Sequence, residues 1–261
     1  MFDGGCSVIG VVHVHALPGS PLYAGSVSEI IEAARRDAAA YADGGVDSIL
    51  IENMHDVPYI AGGVEPETVA AMTMVAQAVR AAHPKLPLGI QILAGANIHA
   101  LGVALAASLD YIRVEGYVFA HVGDEGLHNA NAPALMRRRA DLRAQHIKVY
   151  ADIKKKHSAH AVTADVSLAE TAHAAEFFLA DGVVVSGAAT AIAPPAEDVE
   201  VVRQAVSPNC RVLVGSGVTA DNIAQFTPHA NALIVGSSLK HEGKWNNPVD
   251  VVRVRGLMAA R

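Results

Sequence analysis

The sequence predicts an α/β protein built as a single (β/α)8 TIM barrel, and three observations carry that prediction. The chain has 261 residues, and a barrel of this class typically takes about 250. It alternates eight short β-rich runs with alanine-rich helical stretches, the pattern of a parallel sheet with crossover helices. Near the C-terminus two apolar runs break into glycine–serine turns, Val214-Gly215-Ser216-Gly217 and Val235-Gly236-Ser237-Ser238. In such barrels the loops after the seventh and eighth strands often hold a phosphate. Glycine lets backbone N–H groups approach the anion, and a following helix N-terminus adds a favourable dipole.

The strands are read in order over residues 7–13, 47–52, 87–93, 111–115, 148–153, 182–186, 211–214 and 232–235. Their near-continuous apolar runs suit strands buried on both faces. After the first strand, Ser26 or Ser28 caps a helix that runs to about Ala42, and Gly44-Gly45 ends it. After the second, Glu65-Pro66-Glu67 opens a helix with proline in its first turn and acids near its positive end. The connection after the fourth, about 116–133, holds Gly123, Gly126, Asn129 and Asn131 with no helical period, and reads either as a lid or binding loop on the same rim as the glycine turns or as a surface insertion or oligomer contact. After the fifth, Ser167 and Glu170 form a capping box. Thr190 and Pro194-Pro195 shape the loop after the sixth, Asp221 caps a helix after the seventh, and Asn247-Pro248 opens the last helix. No linker interrupts the chain, so residues 1–261 read as one domain.

Composition narrows the function classes. Half the residues are apolar and the net charge is −6, which supports a large core and argues against non-specific nucleic-acid binding. Cys6 and Cys210 are the only cysteines, so neither a disulfide framework nor a cysteine zinc site is expected. No apolar run approaches the ~20 residues of a membrane span, and no signal peptide is evident. The expectation is a cytoplasmic protein without a transmembrane segment. Homo-oligomer formation stays open at this level.

The active rim of a barrel lies at the C-terminal ends of its strands. In chain order these ends offer His13 and His15, Glu52 and Asn53, Gln91, Arg113 and Glu115, Asp152 and Lys154, then Ser186 and Gly187. Side chains two apart share a strand face, so Arg113 and Glu115 point one way, as do Asp152 and Lys154. Ionisable pairs on central strands are costly unless they face a polar mouth or each other. They therefore mark either a polar site or a buried ion-pair network that tightens the barrel. Glu52, Asp152, Lys154 and His13 are the candidate catalytic residues. Gly215, Ser216, Gly217, Gly236, Ser237 and Ser238 are the candidate phosphate cradle. His13-Val14-His15 is the opening of a barrel metal site, but such a site also needs histidines on the fifth and sixth strands and an aspartate on the eighth. Ser186 and Gly236 stand at the sixth and eighth ends, so no metal or other cofactor is assigned.

Taken together, these motifs resemble the BtpA/SgcQ family nearly end to end. The resemblance rests on Val12-His13 through Leu17-Pro18-Gly19-Ser20-Pro21, Gly44-Gly45-Val46-Asp47 through Glu52-Asn53, and Asp152-Ile153-Lys154 with His157. It continues through Ala180-Asp181-Gly182-Val183-Val184-Val185-Ser186-Gly187, both glycine turns and Asn247-Pro248-Val249-Asp250. It implies a barrel of the ribulose-phosphate-binding type. In cyanobacteria the family name is tied to photosystem I biogenesis; other members occur in bacteria and animals without photosynthesis, one of them associated with sugar metabolism. The family brings no established catalytic residues, and His15 departs from its usual pattern.

Three readings follow. The first is an enzyme acting on a small phosphorylated metabolite, a sugar phosphate or nucleotide, by isomerase- or aldolase-type proton transfer. Glu52 or Asp152 would be the base, and Lys154 would stabilise developing negative charge. The second is a non-catalytic assembly or biogenesis factor on an enzyme scaffold. The third, a metal-dependent hydrolase using His13 and His15, ranks last.

Overall fold

Eight parallel strands close into a barrel because each carries apolar side chains on both faces, one set for the interior and one for the surrounding helices. The computed structural model describes residues 1–2, 4–187 and 192–261; Thr190 lies outside them. The elements run β1 (Ser7–His13), α1 (Val27–Gly44), β2 (Ser48–Glu52), α2 (Pro66–Ala82), β3 (Leu88–Gln91), α3 (Asn97–Ala106) and β4 (Tyr111–Val114). They continue with β5 (His121–Gly123), β6 (Gly126–His128), α4 (Ala132–Asp141), β7 (Lys148–Ile153), β8 (Ser158–Ala159) and α5 (Leu168–Phe177). The chain closes with β9 (Gly182–Val185), α6 (Ala196–Ala205), β10 (Arg211–Gly215), β11 (Ala232–Val235) and α7 (Val251–Ala260). The barrel order is β1-β11-β10-β9-β7-β4-β3-β2.

Local signals set most boundaries. Ser26, not Ser28, caps α1 by accepting from the Glu29 N–H, and Gly45 ends the helix in the left-handed region at φ 89°. Ser167 and Glu170 form the reciprocal capping box of α5. Two expectations are corrected. The connection after β10 makes only a 3₁₀ turn, Ile223–Gln225, and Asp221 does not cap a helix. Pro228 disfavours helical backbone at Thr227, which leaves no room for a longer helix. The last helix is capped by Asp250, whose side chain accepts from the Val252 N–H. Asn247 and Pro248 instead precede a bridge between Lys240 and Val249.

The connection over 116–133 is no open loop. β5 and β6 pair as an antiparallel hairpin across Asp124-Glu125, and β8 adds a third strand from the segment after β7. This small sheet stands on the rim over β4 and β7.

The barrel interior is apolar below and polar above. At the floor, the ring of Phe2 lies 6.0 Å from that of Tyr111 and 5.8 Å from that of Tyr150, and the Tyr111 hydroxyl shares a 2.9 Å hydrogen bond with Ser48 Oγ. Gly89 makes room for Tyr111, since a Cβ there would sit 2.1 Å from its ring. Ile9, Leu50, Val184 and Leu213 fill the next level. Above them, His13, Glu52 and Gln91 are register partners across β1, β2 and β3 and end the barrel in a polar layer.

Candidate functional site

That polar layer floors a cavity of about 250 Å³ at the mouth of the barrel. His13, Glu52, Gln91, Arg113 and Glu115 reach it from the strand ends, and both glycine turns form one side of its wall. Asp124 and Glu125 of the hairpin, with Lys155 and Lys156 after β7, form another.

Arg113 organises the floor. Its Nε and Nη2 donate to Asp152 at 2.8 and 2.9 Å, a bidentate pair, and its Nη1 donates to Glu52 Oε1 at 3.1 Å. All three residues are buried, and both carboxylates share the one guanidinium. Burial raises the Glu52 carboxyl above its ordinary range, against the opposing pull of Arg113 and Lys156. Asp152 does not line the mouth cavity; it bears on it through Arg113.

His13 is held in one tautomer. Its Nδ1–H donates to the Trp245 carbonyl at 2.7 Å, which leaves Nε2 on the side of Gly236, where a Cβ would lie 3.2 Å away. Burial, helped by the Lys240 ammonium, pushes the imidazole down to about 3, so it is neutral at pH 7 and its Nε2 accepts. This has a measurable consequence. An unfolded His13 takes up a proton near its ordinary 6.5, but the folded one does not until about 3. Its contribution to stability is therefore complete above about pH 6.5 and falls as pH drops, by about 1.4 kcal/mol per unit. Urea unfolding between pH 7.5 and 5 is expected to show this slope added to those of His55 and His121, which burial also lowers, to about 4, and His13→Gln is expected to reduce the total by one proton; an unchanged slope in the variant would refute the assignment.

The two turns are braced from within. Asn222 accepts from the Thr219 N–H at 2.8 Å and donates to the Gly217 carbonyl at 3.0 Å. Ser238 Oγ donates to the Val218 carbonyl at 2.7 Å, joining one turn to the other. A short 3₁₀ turn, Ser237–Leu239, follows Gly236. Lys156 Nζ donates to Ser216 Oγ at 3.3 Å and brings a cation to the first turn. Burial and the nearby Arg113 lower its ammonium below the ordinary lysine range.

Several expected rim residues lie elsewhere. Lys154 turns away from the mouth and donates to the Thr163 carbonyl at 2.8 Å, because positive φ at Lys154, 45°, breaks the strand alternation just past β7. Lys155 and Lys156 reach the cavity instead. Asn53 ties two loops together, accepting from the Leu93 N–H at 2.8 Å and donating to Asp56 at 3.1 Å. Ser186 and Gly187 stand outside the cavity wall; Gly187 is pressed against the Ile192 backbone. His15 is exposed and its ring lies 5.3 Å from His55 rather than beside His13 on a shared ion. Among the described residues there is no group of three or more histidine, cysteine or acidic side chains placed to hold a metal.

No helix of the described residues is long and apolar enough to cross a membrane. Residues 5–261 match the model of the BtpA family. The chain is 44% identical to the Caenorhabditis elegans mitochondrial protein F13E9.13 over 256 residues, covering 96% of this chain and 91% of the worm protein. It is 37% identical to the photosystem I biogenesis protein BtpA of Synechocystis over 253 residues, covering 97% and 87%. Among solved structures it is similar to the thiamine phosphate pyrophosphorylase of Pyrococcus furiosus, with a TM-score of 0.60 at 11% identity over 99% of this chain and 96% of that one. The fold is a closed (β/α)8 barrel, and the protein belongs to the BtpA family.

Proposed function

We propose that this protein binds a small phosphorylated metabolite at the barrel mouth and moves a proton on it, in isomerase- or aldolase-type chemistry. The observation that carries this reading is one cavity lined by both glycine turns, His13 and Glu52, with Lys156 reaching Ser216 of the first turn at 3.3 Å. The phosphate would lie on Gly215, Ser216, Gly217, Gly236, Ser237 and Ser238, beside Lys156. His13 Nε2 and the Glu52 carboxyl are the proton-transfer groups, and Arg113 and Lys156 stabilise negative charge as it develops. Binding at the phosphate would position the reacting end. That a fold neighbour is named for a phosphorylated compound is consistent with this. The reading needs no nucleic acid, keeps a cytoplasmic location and leaves homo-oligomer formation open.

A thermal-shift screen of pentose and hexose phosphates, nucleotides and inorganic phosphate tests it. A ligand at about 100 times its Kd adds about 2.7 kcal/mol, a clear rise in Tm. Lys156→Ala is expected to weaken every hit. Glu52→Gln and His13→Gln are expected to keep binding and lose turnover. If no phosphorylated compound moves Tm, the reading fails. A second reading, a non-catalytic assembly factor, draws on the name of the Synechocystis relative and on the engagement of Glu52 and Asp152 by Arg113. It is favoured if phosphate binds but no hit is turned over.

A further inference from the structure

Opposite the glycine turns, beneath the hairpin, the cavity wall holds a second set of polar groups. Glu115 follows β4, and its side chain is 10% exposed. Its Oε1 stands 3.5 Å from Lys155 Nζ, whereas Oε2 is buried with no hydrogen-bond partner. A buried acceptor left unpaired is costly. Lys155 is itself buried and lies 3.8 Å from Glu125 Oε1, from the hairpin turn. Both separations are longer than a well-formed charged hydrogen bond, so the three groups do not saturate one another. Glu125 Oε2 is held from behind by His128 Nε2 at 3.2 Å.

We propose that Glu115, Lys155 and Glu125 form a subsite for the hydroxyl groups of a sugar phosphate, which makes a polyhydroxylated phosphate monoester the substrate class. The inference rests on the phosphate reading above. Acceptor, donor and acceptor in sequence match hydroxyls, each of which both donates and accepts. Glu115 Oε2 accepts a hydrogen bond from one hydroxyl, and Lys155 donates to a neighbouring hydroxyl oxygen. An ammonium-bearing ligand would meet Lys155 as a like charge but Glu115 and Glu125 as opposite ones, so 2-aminoethyl phosphate is the competing case. A nucleobase would call for aromatic stacking, and Tyr59 is the one phenylalanine, tyrosine or tryptophan among the described residues of the cavity wall.

Titration calorimetry with methyl phosphate, ribose 5-phosphate, 2-aminoethyl phosphate and free ribose separates the alternatives. Ribose 5-phosphate is expected to bind at least about tenfold tighter than methyl phosphate. Glu115→Gln, close in shape to the native side chain, is expected to cut that advantage to about threefold or less and leave methyl phosphate unchanged. Glu125→Gln, on the hairpin, provides the same comparison should Glu115→Gln fail to fold. Equal affinity of the two esters, an advantage that survives the substitutions, or preference for the aminoethyl ester overturns the subsite. If free ribose binds in a Glu115-dependent way but methyl phosphate does not bind, the subsite stands and the phosphate reading fails. If nothing binds, both fail.

Discussion

Replacing Arg113 with methionine is expected to destabilise the barrel by about 3–5 kcal/mol, the usual cost of removing one partner from a buried charge cluster. Arg113 is bonded to Asp152 by two nitrogens and to Glu52 by a third, and all three side chains are nearly closed to water. Without the guanidinium, two carboxylates stay in a poorly solvated layer, and the Asp152 carboxylate disfavours charge on Glu52. Urea unfolding at neutral pH measures the loss. The deficit is expected to shrink as pH falls, because the Glu52 carboxyl, raised by burial, takes up a proton more readily than that of the unfolded chain. Adding Glu52→Gln and Asp152→Asn is expected to recover much of the stability. A loss under about 1 kcal/mol, typical of an exposed ion pair, would show that water reaches the cluster.

Substituting alanine for Gly217 is expected to lower affinity for inorganic phosphate by at least about tenfold. Gly217 has φ 66°, where a residue with a Cβ is strained by roughly 1–2 kcal/mol. The greater obstacle is space, since the added Cβ would lie 2.0 Å from the Ala193 backbone N. That neighbour is main chain and cannot swing aside, so either the turn or the segment beside it must move. Gly236→Ala is a milder case, meeting His13 Nε2 at 3.2 Å. Calorimetric titration of native and substituted proteins gives the comparison. Unchanged phosphate affinity in Gly217→Ala would remove this turn from the proposed anion site.

Much of the architecture is encoded locally. The eight barrel strands match their expected positions to within two residues at either end, because a strand buried on both faces must be apolar throughout. Ser26, Gly45 and the Ser167–Glu170 box act within one helical turn, so they too are visible in the primary structure. The hairpin was harder to see, since β5 and β6 are three residues each and bear histidines and glycines rather than an alternating apolar face.

The site divides along the same line. His13, Glu52, Gln91, Arg113 and Glu115 reach the cavity because each lies on or one residue past a regular strand, where alternation dictates direction. Lys154 does not, because the chain has left the extended conformation by then. Lys155, Lys156 and the hairpin acids take part only once the loops have folded over the mouth. The sequence by itself determined the barrel, its two glycine turns and the polar ends of its strands, all consequences of periods and caps a few residues long. Only the tertiary structure decided how the charges are shared. Arg113 meets Glu52 across 61 positions and Asp152 across 39, and which carboxylates a buried guanidinium must neutralise depends on barrel closure, which no local pattern contains.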